Sequence, residues 1–355
     1  LNSHNAPDSL VEAVTKQYSM YVTDPFGTVA VKADRTKNGY FTFDVSKMAS
    51  GLYVMQESDT SPRVLINLIT QNPTYETSSE VECSYLNTVG TASNITRKNQ
   101  YETKTFKYDD IYKGDLILVN LDNEYKFTEK AENLTTISEK NNQYYSVADR
   151  VLKLDINTID ALNEMMEDYY TATKNKDLYV IGAYMSIEDQ NDKYYNGNTE
   201  FKAGYSDYHT GRSLDLAIIP ESGESSGYYA SEGIYEWIEK NAAKYGFILR
   251  FPEYKEGFTG TRGRTYTFRY VGVAHATYMY ENNLCLEEYI DEIKKHTYPD
   301  KILKVPTDDS IYEVFYYPAY PQKDIELPVP KHNSYSVSGN NIDGFIVTVK
   351  NAVIS

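Results

Sequence analysis

The stretch AGYSDYHTGRSLDLA (203–217) constrains this chain more than any other. It passes from a polar, aromatic turn through Gly211 into the β-branched and apolar run SLDLAII (213–219). It places His209 in the turn and Asp215 in the strand. The runs around it are equally distinct. LYVIGAY (178–184) reads as a buried strand, and GFILRF (246–251) and TYTFRYVG (265–272) as two more, because β-branched and aromatic residues fit a pleated surface. Between them, SEGIYEWIEKNAAKYG (231–246) sets Ile234, Trp237, Ile238 and Ala242 on one helical stripe, with Gly246 as its stop. DINTIDALNEMMEDYY (155–170) repeats apolar residues at Ile156, Ile159, Leu162, Met165, Met166 and Tyr169, a helix with one buried face. AHATYMYENN (274–283) and LCLEEYIDEIKKH (284–296) read as two further helices, and GDLILVN (114–120) as a strand. The fold class is therefore α+β for residues 108–300.

The flanks are β-rich. Residues 1–25 read as an N-terminal helix or leader remnant, with Ser9 and Glu12 spaced as a capping box. GTVAVKA, GYFTFDVS, GLYVMQES and PRVLINLIT make 26–85 a sandwich-like accessory domain. Residues 86–107 read as a polar linker, with an Asn-X-Thr triplet at Asn94. The tail, 301–355, returns to short strands, and Pro328 and Pro330 belong on an edge because proline donates nothing to a ladder. Whether this tail is a separate hairpin module or extends the α+β sheet stays open at this level.

Composition excludes some functions. A formal charge of −16 argues against nucleic acid and against anionic lipid, both of which need a basic surface. No run of 18 apolar residues is present, so no transmembrane segment is expected. Two cysteines, Cys83 and Cys285, make no disulfide framework, and free buried thiols are the preferred reading over a bridge. The start at Leu1 is either an arbitrary boundary or the scar of a removed leader. Low cysteine, acidic charge and abundant Tyr (36 residues) fit export to the cell envelope.

Four blocks in order, IGAYMSIEDQ (181–190), AGYSDYHTGRSLDLA, KYGFILRFP (244–252) and RTYTFRYVG (264–272) followed by LCLEEYI (284–290), resemble the D-alanyl-D-alanine carboxypeptidases of the VanY type. These are zinc peptidases with the small LAS-type fold that trim cell-wall precursors. The resemblance implies that fold over about 140 residues, with peptidoglycan or its stem peptides as partner and a Gram-positive envelope as location. In the family a His in the second block, an Asp seven residues later and a His in the fourth block hold zinc. A Glu three residues before that last His is the general base, and an Arg in the first block reads the substrate carboxylate. Three protein ligands leave a place for water, whose pKa zinc lowers.

Position by position, this chain departs from that pattern. Asp215 falls on the ligand Asp, but Tyr208 and Thr267 stand at the two ligand His positions, Arg264 at the general base and Met185 at the carboxylate reader. The resemblance therefore implies a vestigial metal site of Tyr208, Asp215 and Thr267, no cofactor, and an uncertain standing as an enzyme. An alternative site of His209, Asp215 and His275 would restore zinc. His209 is one residue from the ligand position, a shift that reverses a side chain in a strand but not always in a loop. Arg264, always protonated, cannot serve as its base. Glu253, Glu256 and Glu288 would be the nearest substitutes in sequence. A groove that binds peptide ends without cutting would draw on Tyr184, Ser186, Gln190, Ser206, Tyr208, His209, Arg264, Tyr266 and Arg269. A structural or adhesive role for the β-modules is the third class.

Overall fold

The computed structural model describes residues 100–127, 133–222 and 226–352, together with the backbones of six strands nearer the N-terminus. Two compact units emerge, Leu1–Ser93 with Ile354–Ser355, and Asn94–Val353. In the first, β1 (Tyr21–Thr23), β2 (Val29–Lys32), β3 (Asp34–Arg35), β4 (Phe41–Thr42), β5 (Gly51–Gln56) and β6 (Val64–Leu68) are present. They form an antiparallel sheet in the order β2-β1-β5-β6 and a separate β3–β4 pair. The helix expected at the N-terminus, Cys83 and the Asn94 triplet lie outside the described residues.

The second unit begins with β7 (Tyr101–Phe106), inside the segment read as linker. It continues with β8 (Leu134–Thr136), β9 (Ser146–Val147), β10 (Lys153–Asp155), helix α1 (Ile156–Thr173) and β11 (Leu178–Gly182). Asp155 caps α1 by accepting from the Asn157 N–H (3.0 Å), and the predicted stripe from Ile159 to Tyr169 is buried. Next come α2 (Ile187–Tyr195), β12 (Ser213–Ile218), β13 (Gly227–Tyr228), α3 (Glu236–Asn241), β14 (Phe247–Phe251), α4 (Glu256–Thr259), β15 (Arg264–Tyr270), α5 (Val273–Glu281) and α6 (Leu286–Ile293). The central sheet runs β14-β15-β12-β11-β9, with β13 on β12. It is antiparallel except for the parallel β11–β9 pair. Its core joins α1 residues such as Leu162 and Met166 to Leu178, Leu214, Leu216 and Phe268.

Two predicted elements differ. The helical stripe at 231–246 is broken into 3-10 turns around α3, so Ile238 and Ala242 are buried while Ile234 is exposed. GDLILVN buries Leu116, Ile117, Leu118 and Val119 but joins no strand. Its backbone is satisfied otherwise. The Leu116 N–H donates to Ser338 Oγ (2.9 Å), the Leu118 N–H to the Asn340 carbonyl (3.2 Å), and Arg269 donates to the carbonyls of Asp115 and Ile117 (2.9 and 3.1 Å). Side-chain donors there replace a ladder.

The tail forms β16 (Leu303–Pro306), β17 (Ser310–Pro318), β18 (Ile325–Pro330), β19 (Ser334–Gly339) and β20 (Gly344–Ala352). It makes its own antiparallel sheet, β16-β17-β20-β19, while β18 pairs with β7. It is no extension of the central sheet, yet it shares a core with α5 and α6. Leu303, Val305, Val314 and Ile346 pack with Met279, Leu286, Tyr289 and Ile293.

Candidate functional site

The site is built where β12 and β15 run side by side. Asp215 and Thr267 are cross-strand partners. Both face Tyr208, carried by a 3-10 turn, Asp207–Thr210, that ends at Gly211 in the left-handed region (φ 67°). Residues with a Cβ adopt that conformation reluctantly, and a Cβ here would meet Leu134 Cδ2 at 2.6 Å. On the other side β11 carries a bulge that sets Gly182 opposite Asp215. A Cβ at Gly182 would lie 2.7 Å from Asp215 Oδ2, so the glycine makes room for the carboxylate.

The three side chains form a closed hydrogen-bonded group. The Tyr208 hydroxyl donates to Asp215 Oδ1 (2.6 Å), and Thr267 Oγ1 donates to the same oxygen (2.7 Å). The two hydroxyl oxygens lie 3.4 Å apart. Tyr208 and Thr267 are buried. Burial pushes the Asp215 carboxyl above its ordinary pKa, against the two hydroxyl donors and the field of Arg264. Burial, reinforced by Asp215, drives the Tyr208 phenol far above the ordinary tyrosine range.

Beneath the turn lies a buried ionic cluster. Asp207 accepts from Arg269 Nη1 (2.6 Å) and from Ser213 Oγ, with Arg250 Nε at 3.5 Å. Arg250 also holds Glu287 in a two-pronged pair (3.0 and 2.8 Å). Burial alone would raise the Asp207 pKa. Arg269, Arg250 and the Ser213 bond outweigh it and hold the carboxyl below its ordinary value. Motif matching did not single out Asp207. The signal was its place between Ser206 and Tyr208, with two arginines in the later strands.

Arg269 is thus fully engaged inside the protein and takes no part in a groove, as its Nε also donates to the Tyr270 carbonyl (3.0 Å). Arg264 is placed differently. Its Nη2 pairs with Glu200 (2.9 Å), and its guanidinium lies over the rings of Phe201 and Phe251 (5.0 and 5.7 Å). It pairs neither with Glu256, which accepts from the Gly263 N–H, nor by direct bond with Asp215. Glu200 and Phe201 carry no motif and were missed. Tyr266 stacks on the exposed Tyr228 (4.2 Å between centroids). Tyr184 is half-buried beside Met185. Ser186 caps α2 by accepting from the Asp189 N–H (3.1 Å). Gln190 and Ser206 are buried, and among the described residues Gln190 Oε1 and Ser206 Oγ have no hydrogen-bond partner.

The alternative set of His209, Asp215 and His275 is not assembled. Among the described residues no three His, Cys, Asp or Glu side chains form a group able to hold a metal ion. His209 Nε2 accepts from the Gly204 N–H (3.0 Å), so the proton sits on Nδ1, which donates to the Met185 carbonyl (2.7 Å). Its ring packs against Tyr125 and Phe127, which also touch each other. Burial lowers its pKa. His275 bonds Tyr289 through Nδ1 (2.6 Å) and Thr348 through Nε2 (2.8 Å), in the core shared by helices and tail. Of the substitute bases, Glu288 caps α6 through the Cys285 N–H and pairs with Lys255. Cys285 itself is a free, buried thiol, pushed up to about 12 by burial.

The family model for VanY D-alanyl-D-alanine carboxypeptidase matches residues 151–273. A D-alanyl-D-alanine carboxypeptidase of Enterococcus faecium is 33% identical over 271 residues, 75% of this chain and 82% of that one. The chain belongs to the VanY-type D-alanyl-D-alanine carboxypeptidase family. Another carboxypeptidase of that name, from Enterococcus faecalis, is 28% identical over 148 residues, 38% of this chain and 55% of its own length. The fold is shared with a vancomycin-resistance D,D-dipeptidase, VanXYg, solved with a D-Ala-D-Ala phosphinate analogue. The TM-score is 0.61 at 24% identity, over 71% of this chain and 99% of that one.

At the three positions where the resemblance implies zinc ligands stand a phenol, a carboxylate and an aliphatic hydroxyl. Zinc sites are built from thiolate, imidazole and carboxylate donors. A phenol held far above its ordinary pKa and a neutral threonine are poor substitutes, and both already bond Asp215. The donor set does not fit a zinc ion. Nor does a guanidinium at Arg264 accept a proton from water.

Proposed function

We propose that this chain keeps the carboxypeptidase fold without its zinc hydrolysis, and holds the stem-peptide ends of peptidoglycan rather than cutting them. The observation that carries the reading is the Tyr208–Asp215–Thr267 group, in which two hydroxyls, neither an ordinary zinc donor, flank the carboxylate and both bond its Oδ1. Positive charge at Arg264 in place of a base points the same way. The binding half is supported by the buried, unpartnered Gln190 Oε1 and Ser206 Oγ, since buried polar atoms ordinarily have partners. Peptidoglycan as ligand places the protein outside the membrane of a Gram-positive cell, and protease shaving of intact cells checks that placement. Two assays test the function. Incubation with a peptide ending in D-Ala-D-Ala is expected to release no D-alanine, and steady release would overturn the loss of catalysis. Co-sedimentation with purified sacculi is expected to retain the protein, and its full recovery in the supernatant would overturn the binding role.

A further inference from the structure

We propose that Arg264 reads a ligand's terminal carboxylate in exchange with Glu200, an inference that rests on the peptide-binding reading above. The chain's own carboxylate already sits in that place: Glu200 Oε1 accepts from Arg264 Nη2 at 2.9 Å. The partners are unequal. The Glu200 side chain is 53% exposed and that of Arg264 only 19%. Phe201 and Phe251, themselves stacked (6.2 Å), underlie the guanidinium and fix it. A preset cation therefore faces a half-exposed, solvated anion. Among the described residues, Arg264 Nε and Nη1 bond to no other group. Arginine binds carboxylates best through two parallel N–H donors, and Glu200 uses one.

Polar groups nearby suit the rest of a peptide end. Gln190 Nε2 donates to the Phe201 carbonyl (2.7 Å), which fixes the amide beside the ring beneath Arg264 and leaves Oε1, a buried acceptor, unpaired. Ser206 Oγ, at the start of the turn that carries Tyr208, is likewise unpaired. Both atoms are closed off from solvent, so a peptide end reaches them only if the side chains above them shift. At the family's carboxylate-reading position stands Met185, which cannot bind an anion. Arg264, at the position where the resemblance implies the base, supplies a cation instead.

A ligand carboxylate that takes Nη2 as one of its two donors displaces Glu200, and a pair so exposed is worth little. Removing the Glu200 charge should then favour the ligand. A purely structural ion pair predicts the reverse.

Calorimetric titration of the whole chain with a peptide ending in D-Ala-D-Ala, as free acid and as C-terminal amide, tests this. The free acid is expected to bind about tenfold more tightly than the amide, the worth of a charge-assisted hydrogen bond. Arg264→Gln should lose the difference and Arg264→Lys retain part of it. Glu200→Gln should bind the free acid roughly two- to fivefold more tightly. Equal binding of acid and amide by the native chain overturns the carboxylate reading and leaves peptide binding standing. Weaker binding by Glu200→Gln overturns the exchange. Binding of neither peptide overturns both this inference and the function beneath it. The amide and Glu200→Gln comparisons hold even if Arg264 variants fold poorly.

Discussion

Single residues set which bonds this site can make. Tyr208 and Thr267 make Asp215 the acceptor of two hydroxyl bonds. His209, which in sequence looks like a displaced ligand, instead ties the turn to Met185 and Gly204 with both ring nitrogens. Counting positions places Tyr208 and Thr267 beside Asp215, and the structure brings the three together. Counting could not find where His209 points, because a one-residue shift in a turn fixes no direction. Asp207 illustrates the same limit from the other side. Its carboxylate is the counter-ion of buried Arg269 and Arg250. Asp207→Asn keeps the shape and removes the charge, leaving Arg269 without its ionic partner. A loss of about 3–5 kcal/mol is expected, as for other broken buried pairs, read by chemical denaturation. A loss below about 1 kcal/mol would mean that the cluster relaxes onto Glu287 and water.

Elements position these residues through register. Asp215 lies opposite Thr267 on one side and opposite Gly182 on the other, where the bulge in β11 makes space. Gly182→Ala puts a Cβ 2.7 Å from Asp215 Oδ2. The carboxylate or the strand must move, at about 1–3 kcal/mol, so thermal unfolding should begin lower. An unchanged melting temperature would show that β11 yields freely. Strands and helices with strong periodicity were legible in the sequence. β11, β12, β14 and β15 fall where β-branched and aromatic runs predict, and α1 buries its predicted stripe. What failed did so for tertiary reasons. GDLILVN has a strand's composition, but arginine and asparagine side chains and Ser338 from distant segments take its backbone bonds. Ile234 has a helix's spacing, but 3-10 turns rotate it into solvent. β7 looked like linker because its exposed residues are polar, and its partner β18 lies more than 200 residues away.

At the scale of the whole molecule, the carboxypeptidase-like region and the tail are one folding unit joined by a shared core. His275 is part of that joint. It links α5 to Tyr289 of α6 and Thr348 of β20. Burial lowers its pKa from 6.5 to about 4, so the folded chain resists protonation that the unfolded chain accepts. Stability is thus full above pH 6.5 and falls as pH drops toward 4, by about 3 kcal/mol from this group. Buried His209 shifts in the same direction. Urea midpoints across that range should decline for the native chain and decline less for His275→Gln; equal slopes would remove His275 from the account. The central claim, that hydroxyls have replaced the metal, is tested most directly by the zinc content of protein purified without chelator, beside Tyr208→His/Thr267→His. Less than about 0.1 zinc per native chain is expected, with zinc gained by the double variant through a restored two-His, one-Asp donor set. One zinc per native chain, unchanged or lost in the double variant, would contradict it.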